Sequence, residues 1–365
     1  MKTRPTFVLL SLGVAWVAGG CGGAVSPDRG QAGDIADSFE AAPNDLPGIP
    51  DVPETVDVDS GPRGDCPVCM FTISAGRVGA MVEIPDGAQV EQMYGANDLS
   101  LTDRSYGLMV SRTGITRRLW SVTLPDGSVA TIHPDNVSAQ AQFQPTVTGA
   151  YLIALEIEGG TGCIQTCLKT VNVVPLKGCV VELTWNTPSD SDQTDTCPSG
   201  PMGSDCGSDM DLHVLHPLAA GPGGQPLGYF AVQYDCYWMN SNPTPWDVGH
   251  PEDSGYQPHL LRDDVDGAGP EIFHYALPPS DTCYRVGVHY FDDHGWGRSY
   301  PTLRLYLDGG AMPVYETTLA QAMIIGDLWD AGSLCCGNAS QPFTPFTAAG
   351  SQEPVIFPKY PSPFP

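Results

Sequence analysis

Basic side chains are scarce in this 365-residue sequence, which contains 16 Lys and Arg residues against 42 Asp and Glu residues. The resulting net charge of −26 repels the phosphates of nucleic acids and the headgroups of anionic lipids. We therefore exclude nucleic acid as a partner. Between residues 178 and 338 the imbalance is 22 acidic residues against 4 arginines, and such a surface offers a field that attracts cations.

Recurrent catalytic signatures are also missing. The sequence contains no G-x-S-x-G nucleophile elbow, no H-E-x-x-H zinc motif and no G-x-x-x-x-G-K-S/T phosphate loop. We therefore expect a protein without enzymatic activity. The spacing of the histidines specifies no mechanism, and we interpret them as scattered surface residues. Seven of the eight lie in the acidic region, at positions 213, 216, 250, 259, 274, 289 and 294.

Long stretches of Ala, Leu, Glu and Lys, which are typical of helical proteins, do not occur. Instead, 42 Gly and 35 Pro residues interrupt the chain, and short runs of Val, Ile, Tyr and Phe lie between clusters of Gly, Pro, Asp and Asn. This pattern predicts an all-β protein. The length exceeds that of one ordinary hydrophobic core, so we expect two antiparallel β-sandwich domains.

The first 20 residues have the pattern of a signal peptide. Lys2 and Arg4 precede an apolar run over residues 7–18, and small residues follow it. The run is shorter than the ~20 residues that a membrane-spanning helix needs. No later segment is long and apolar enough to span a bilayer. Attachment to a membrane would therefore require something other than a membrane-spanning helix.

Residues 18–21 read Ala-Gly-Gly-Cys, which resembles the lipobox of bacterial lipoproteins. The resemblance implies that the chain is cleaved before Cys21 and is held to a membrane by lipid on the sulfur of that cysteine. Gly22 stands where a retention signal would place Asp, and this favours the outer membrane. The alternative is an ordinary signal peptide cleaved near Gly20, which leaves Cys21 as a free thiol.

Two further segments are poor in large apolar side chains or rich in proline. Residues 21–64 are rich in Gly, Ala, Pro and Asp, and they predict a flexible acidic tether because they cannot bury enough surface to offset the entropy of ordering. Residues 339–365 carry seven prolines among several aromatic residues. We expect an extended, loosely docked tail there, and a recognition segment is the alternative.

The first predicted domain covers residues 65–177 and contains strand signals separated by turns. Several of its motifs resemble those of PKD and related Ig-like repeats of bacterial surface proteins. The resemblance implies an Ig-like sandwich that spaces or adheres without catalysis. We expect Trp120 to be a buried core residue, and a ligand platform is the alternative. The motifs in order are Trp120-x-Val122, Pro125-Asp126-Gly127-Ser128, Phe143-x-Pro145, Gly149-x-Tyr151 and a final Val-x-Val.

The second predicted domain covers residues 178–338. Residues 209–214 alternate strictly between apolar and polar side chains, as a strand does. Its motifs resemble a "DLDLHV…GPE" domain of uncharacterised exported bacterial proteins, and the resemblance implies a β-sandwich. These motifs are Leu183-Thr184-Trp185, Asp209-x-Asp211-Leu212-His213-Val214, Arg262-Asp263-Asp264, Gly267-x-Gly269-Pro270-Glu271 and Tyr284-Arg285-Val286-Gly287-Val288.

Twelve cysteines in a chain predicted to be exported indicate disulfides. Without Cys21 eleven remain, so one must stay unpaired or pair between chains. Cys197 and Cys206 flank a short polar loop and predict a local disulfide, whereas the adjacent Cys335 and Cys336 cannot be unstrained partners of each other. The alternative for four others is a thiolate zinc site, made of Cys66, Cys69, Cys163 and Cys167.

Acidic residues of the second domain predict a calcium site. Asp209 and Asp211 project from the same strand face, which places their carboxylates ~7 Å apart. An acidic loop whose Gly267 and Gly269 permit tight turns is expected to close over them. The alternative is a solvated acidic surface. The predicted site comprises Asp209, Asp211, Asp263, Asp264, Asp266 and Glu271, whose oxygens are the ligands that Ca²⁺ prefers.

These observations favour a non-catalytic surface lipoprotein that binds, spaces or adheres and is stabilised by calcium. The alternative is a glycan-binding protein or a polysaccharide-directed hydrolase. It would use carboxylates of the second domain together with aromatic side chains expected in exposed loops, namely Trp238, Trp246 and Trp296.

The lipobox resemblance generates a direct test. A Cys21→Ala variant should leave the membrane fraction and appear in the soluble fraction, because it has lost the acylated sulfur. Cell fractionation followed by immunoblotting measures this, with wild type beside it. A variant that stays as firmly membrane-bound as wild type would disprove the anchor.

Overall fold

β-Strands make up nearly all the regular structure, as the sequence predicts. The computed structural model describes residues 66–76, 81–92, 99–106, 114–194, 207–219, 228–247, 249–250, 253–265 and 267–363. The predicted signal peptide, Cys21 and the predicted tether lie outside the described residues, as do Cys197, Cys206 and Asp266. Within the described ranges the helical structure is a single 3-10 turn at Ser254–Tyr256. No helix there is long and apolar enough to cross a membrane.

The first sandwich is built from strands between residues 71 and 174. Its longest inward-facing row lies on the eighth strand, where Tyr151, Ile153, Leu155 and Ile157 alternate with partly exposed residues. The described strands are β1 (Phe71–Ala75), β2 (Val82–Ile84), β3 (Ala88–Glu91), β4 (Leu99–Asp103), β5 (Arg117–Thr123), β6 (Ile132–His133), β7 (Gln140–Phe143), β8 (Gly149–Glu158) and β9 (Ile164–Val174).

The strand order of the first sandwich is that of an immunoglobulin fold. One sheet runs β2-β1-β4-β7-β6 and the other runs β3-β9-β8-β5, with β3 parallel to β9 and the other pairs antiparallel. The immunoglobulin letters A to G correspond in chain order to β1, β4, β5, β6, β7, β8 and β9. With these letters the two sheets contain the strand orders A-B-E-D and G-F-C, which are those of an immunoglobulin domain. The Ig-like prediction is therefore confirmed at the level of the fold.

Two aromatic residues of the first sandwich have typical immunoglobulin roles. Trp120 on β5 is 1% exposed, packs edge-on against Phe71 and donates its indole N–H to the Ser138 carbonyl at 2.8 Å. The Tyr151 hydroxyl donates to the carbonyl of Val147 at 2.9 Å and accepts from the N–H of that residue at 3.1 Å. This is the tyrosine corner at the start of strand F. The predicted core position of Trp120 is confirmed.

Two disulfides tie the start of the first sandwich to its β8–β9 hairpin. They join Cys66 to Cys163 and Cys69 to Cys167. Because these sulfurs are bonded in pairs, they supply no thiolates to a metal, and the zinc alternative for the four cysteines is wrong.

The second sandwich packs two sheets whose inner faces share one apolar core. The sheet orders are β13-β14-β10-β16-β17 and β12-β11-β15-β18-β19, with β20 also paired to β18. The strands are β10 (Cys179–Asn186), β11 (Asp209–Leu215), β12 (Asp235–Cys236), β13 (His259–Arg262), β14 (Glu271–Tyr275), β15 (Tyr284–Asp292), β16 (Tyr300–Leu307), β17 (Tyr315–Thr318), β18 (Leu328–Leu334), β19 (Phe343–Pro345) and β20 (Val355–Phe357).

The adjacent cysteines at the end of β18 bond to different partners, Cys335 to Cys283 and Cys336 to Cys179. Cys336 therefore links the end of one sheet to β10 in the other. Cys236 on β12 is a buried free thiol, and burial raises its pKa well above the usual value.

The expectation of a loosely docked polyproline tail is wrong. The segment after residue 338 contributes β19 and β20, which both pair with β18, and Tyr360 is buried against Tyr229 and Phe230. Proline is tolerated there because β19 and β20 are short strands at the margin of the sheet.

Glu182 on β10 connects the two sandwiches. Its side chain is fully buried and accepts the N–H of Thr148 at 3.0 Å and the amide of Gln92 at 3.1 Å, both from the first sandwich. Arg304 of β16 lies 3.6 Å away. Burial raises the pKa of Glu182 in spite of these donors.

Replacing Glu182 with Ala should destabilise the protein by ~3–5 kcal/mol, because it removes the buried acceptor and leaves Arg304 without one of its partners. Urea unfolding monitored by tryptophan fluorescence measures the change. Glu316→Ala is the matched control, since Glu316 bonds the same arginine at 2.8 Å from a half-exposed position. That change should cost less than ~1 kcal/mol. Equal losses in the two variants would contradict the role of Glu182.

Candidate metal centre

Strand β11 carries acidic and imidazole side chains on the face that points away from the sandwich core. Three apolar residues of β11 at alternate positions, 210, 212 and 214, enter the core, while Asp209, Asp211 and His213 alternate with them on the opposite face. All residues of β11 are nevertheless buried. Tyr229, Phe230 and Tyr237 pack against His213 on this face, and Tyr360 of the C-terminal segment packs on the first two.

His213 is fully buried and oriented by a carboxylate. Its Nδ1 lies 2.7 Å from Asp235, which also accepts the backbone N–H of Phe230. The imidazole stacks on Tyr237 and meets Phe230 edge-on, with ring centroids 5.0 and 4.7 Å away. Its Nε2 is buried and has no hydrogen-bond partner. A neutral His213 that donates from Nδ1 to Asp235 presents a lone pair at Nε2.

His289 lies directly opposite Asp211 in the antiparallel register of β11 and β15. Its Nδ1 is 3.5 Å from the carboxylate of Asp211, which is an ion-pair distance without hydrogen-bond geometry. Both ring nitrogens are buried without a hydrogen-bond partner. One ligand atom each of Asp211, His213 and His289 lies within 4.8 Å of the others.

A second group of donors consists of carboxylates. Asp211, Asp263 and Glu271 each place an oxygen within 4.8 Å of the others. Glu271 comes from β14 in the facing sheet, and one of its oxygens accepts the N–H of Leu212 while Oε1 is buried without a partner. Asp263 follows β13 and is exposed, so this group reaches from the protein interior to the surface.

The predicted calcium residues are therefore brought together only in part. Asp211, Asp263 and Glu271 converge. Asp209 lies close enough to Asp211 and Asp263 for their charges to raise its pKa. Asp264 instead bonds Arg262, with distances of 3.1 and 2.7 Å. The turn between β13 and β14 uses Gly267 and Gly269 at positive φ, and a Cβ at Gly269 would lie 2.9 Å from the Trp185 ring.

Buried carboxylates raise one another's pKa in this cluster. Burial, followed by the charge of Asp211, raises the pKa of Asp209 to about 9. The same two causes raise the pKa of Glu271 well above its usual value. A cation among the carboxylates would offset both effects, because it replaces lost hydration and opposes their repulsion.

The two histidines of the cluster were missed by the sequence analysis, and the expectation that they are scattered surface residues is wrong for both. His213 is 0% and His289 2% exposed. A signal for His213 was present, since the alternation of β11 places it on the same face as Asp211. His289 had no such local signal, because its position depends on the register between β11 and β15.

The aromatic residues of the glycan alternative are not a set of exposed loop side chains. Trp246 is 4% exposed and stacks on Tyr284 in the core. Trp238 is half-buried and packs against Tyr237 and Phe291, and Trp296 is half-buried as well. The expectation of exposure is wrong for Trp246, which leaves the glycan alternative with less support.

Comparisons with known proteins add little to this description. No protein-family model matches the chain, and no curated protein matches it either. Among solved structures the chain is similar to the D00-D0 domain of intimin, with 9% identity over 70% of this chain and 99% of that chain and a TM-score of 0.18. It is also similar to extracellular cadherin domains 1–5 of protocadherin gamma B2, with 9% identity over 69% of this chain and 39% of that chain and a TM-score of 0.17. TM-scores this low support no inference from either structure, so the fold assignment depends on the strand order of the sheets.

Proposed function

We propose that this chain is an exported, non-catalytic binding or adhesion module, anchored to the outer membrane by lipid on Cys21 and stabilised by Ca²⁺ in its second sandwich. The observation that carries the calcium proposal is the convergence of Asp211, Asp263 and Glu271 within 4.8 Å. The buried, unpartnered Oε1 of Glu271 supports it further, because such an oxygen is costly unless a hydrogen-bond donor or a cation meets it.

The chemistry of this group suits calcium. Ca²⁺ takes six to eight oxygen ligands at 2.3–2.6 Å in flexible geometry and accepts carboxylates and water together. The exposed position of Asp263 leaves room for water ligands at the outer end of the group. The strong negative charge of the region between residues 178 and 338 favours the arrival of a cation.

The placement of the ligands suits an ion that stabilises the fold. Asp211 belongs to one sheet of the second sandwich and Glu271 to the other, so an ion bound to both would connect the sheets. Asp211 and Glu271 are at most 2% exposed.

Calcium should raise the melting temperature of the protein. If its concentration is ~100 times the Kd, the ion stabilises the folded state by ~2.7 kcal/mol, which corresponds to a rise of about 5–10 °C for a domain of this size. Differential scanning calorimetry in millimolar CaCl₂ and in EDTA measures the rise. The same concentration of MgCl₂ tests selectivity, because Mg²⁺ demands a more regular octahedral site.

Asp263→Asn should abolish this rise, because it removes a charged ligand at an exposed position without disturbing the core. Asp281→Asn is the matched control, since Asp281 is an exposed aspartate of the same sandwich outside the cluster. It should keep the full rise. A wild-type melting temperature that is equal in calcium and in EDTA would refute the calcium site, as would an undiminished rise in the Asp263→Asn variant.

A further inference from the structure

We propose that Asp211, His213 and His289 form a separate site for a first-row transition-metal ion of the Zn²⁺ class. This site shares Asp211 with the proposed calcium site but does not depend on it, since the other two ligands are imidazoles. The three side chains come from neighbouring strands of one sheet. Asp211 and His213 lie two residues apart on β11, and His289 lies opposite Asp211 on β15.

The distances fit a site that contracts modestly around an ion. Zn²⁺ binds His nitrogen and carboxylate oxygen at ~2.0–2.2 Å, so two ligand atoms of one tetrahedral site are ~3.4 Å apart. The three ligand atoms already lie within 4.8 Å of one another. Shifts of about 1 Å, which side-chain rotations can supply without moving the strands, would complete the contraction.

The second contact of His213 is the one expected of a metal ligand. A histidine that binds metal through one nitrogen commonly donates its other N–H to a carboxylate, which fixes the orientation of the ring and raises its basicity. Asp235 provides this contact at 2.7 Å from Nδ1 and is itself held by the Phe230 N–H. The other nitrogen, Nε2, is buried without a hydrogen-bond partner and is therefore available to bind an ion.

The unpartnered nitrogens of His289 are an independent sign of a ligand. Buried imidazole nitrogens almost always find a hydrogen-bond partner, and leaving them without one is costly. His289 is 2% exposed and neither nitrogen has a hydrogen-bond partner. A metal ion would satisfy one of them. His289 also lines a cavity of about 280 Å³ together with Phe291.

The donor types separate the two ions. Imidazole nitrogen suits Zn²⁺, Cu²⁺, Ni²⁺ and Fe²⁺, whereas Ca²⁺ and Mg²⁺ prefer sites made of oxygen. Of the two groups that share Asp211, one contains two imidazoles and the other contains two further carboxylates. The two oxygens of Asp211 allow this side chain to contact both groups.

The test uses the full exported chain, stripped with chelator and titrated with Co²⁺ as a visible-absorbing substitute for Zn²⁺. We expect one equivalent of Co²⁺ to produce ligand-field absorption that Zn²⁺ then displaces, and X-ray absorption of the Zn²⁺-loaded protein should show two imidazole ligands. His289→Gln should weaken Zn²⁺ binding by at least ~10-fold. Asp235→Asn should weaken it by ~10–100-fold, the usual effect of losing such an orienting carboxylate.

The controls distinguish this site from the calcium site. His133→Gln removes an exposed histidine of the first sandwich and should leave Zn²⁺ affinity unchanged. Asp263→Asn should keep Zn²⁺ binding while it loses the calcium-dependent rise in melting temperature, and His289→Gln should do the reverse. If His289→Gln fails to fold, Asp235→Asn and the imidazole count in the wild-type protein decide the matter. A folded wild type that binds neither Co²⁺ nor Zn²⁺, or that binds Zn²⁺ without imidazole, overturns the proposal and leaves the calcium proposal standing.

Discussion

The burial of β11 on both faces is the constraint on which the second sandwich depends. One face supplies Met210, Leu212 and Val214 to the core, as in any sandwich strand. The other face carries Asp209, Asp211 and His213, and all three are almost completely shielded from solvent. Moving ionisable groups out of water is expensive unless other polar groups or ions compensate them. The surrounding parts of the fold can be understood as the means of covering and compensating this face.

The edge of β11 shows how the two sheets of the second sandwich meet. The short strand β12 pairs with Val214 and Leu215, and among the described residues no strand pairs with the first half of β11 on that side. Glu271 from the facing sheet approaches there and accepts the N–H of Leu212. At the same end the β11–β15 register is irregular, and it sets Asp209 opposite Asp292. The carboxylates therefore collect where regular pairing stops, which is where β-bulges often accompany functional sites.

Local patterns in the sequence predicted much of this arrangement. Strict alternation placed Asp209, Asp211 and His213 on one face of a strand, and the acidic loop after β13 correctly supplied Asp263 to the cluster. Trp120 and Tyr151 were recognisable because the immunoglobulin fold uses them at defined points of its strand order. In each case the relevant signal lies within a few residues along the chain.

Features that depend on distant pairing were not predictable in the same way. The meeting of His289 with Asp211 depends on the register of two strands that are 78 residues apart in sequence. The burial of His213 depends on Tyr229 and Phe230, which lie in a turn, and on Tyr237, which directly follows the two-residue strand β12. The prediction for residues 339–365 was wrong because their prolines suggested an extended, loosely docked segment. Strands that pair only at the margin of a sheet tolerate prolines.

The cover over the polar face is completed by the last part of the described chain. Tyr360 packs on Tyr229 and Phe230, and the strand before it, β20, pairs with β18. The end of β18 is in turn bonded through Cys336 to β10 at the start of the second sandwich. The polar face is thus closed only when both ends of this sandwich are in place. An ion bound to this face would therefore stabilise the complete fold relative to any partly formed state. Its binding free energy would add to the free energy of global unfolding and not only to that of one loop.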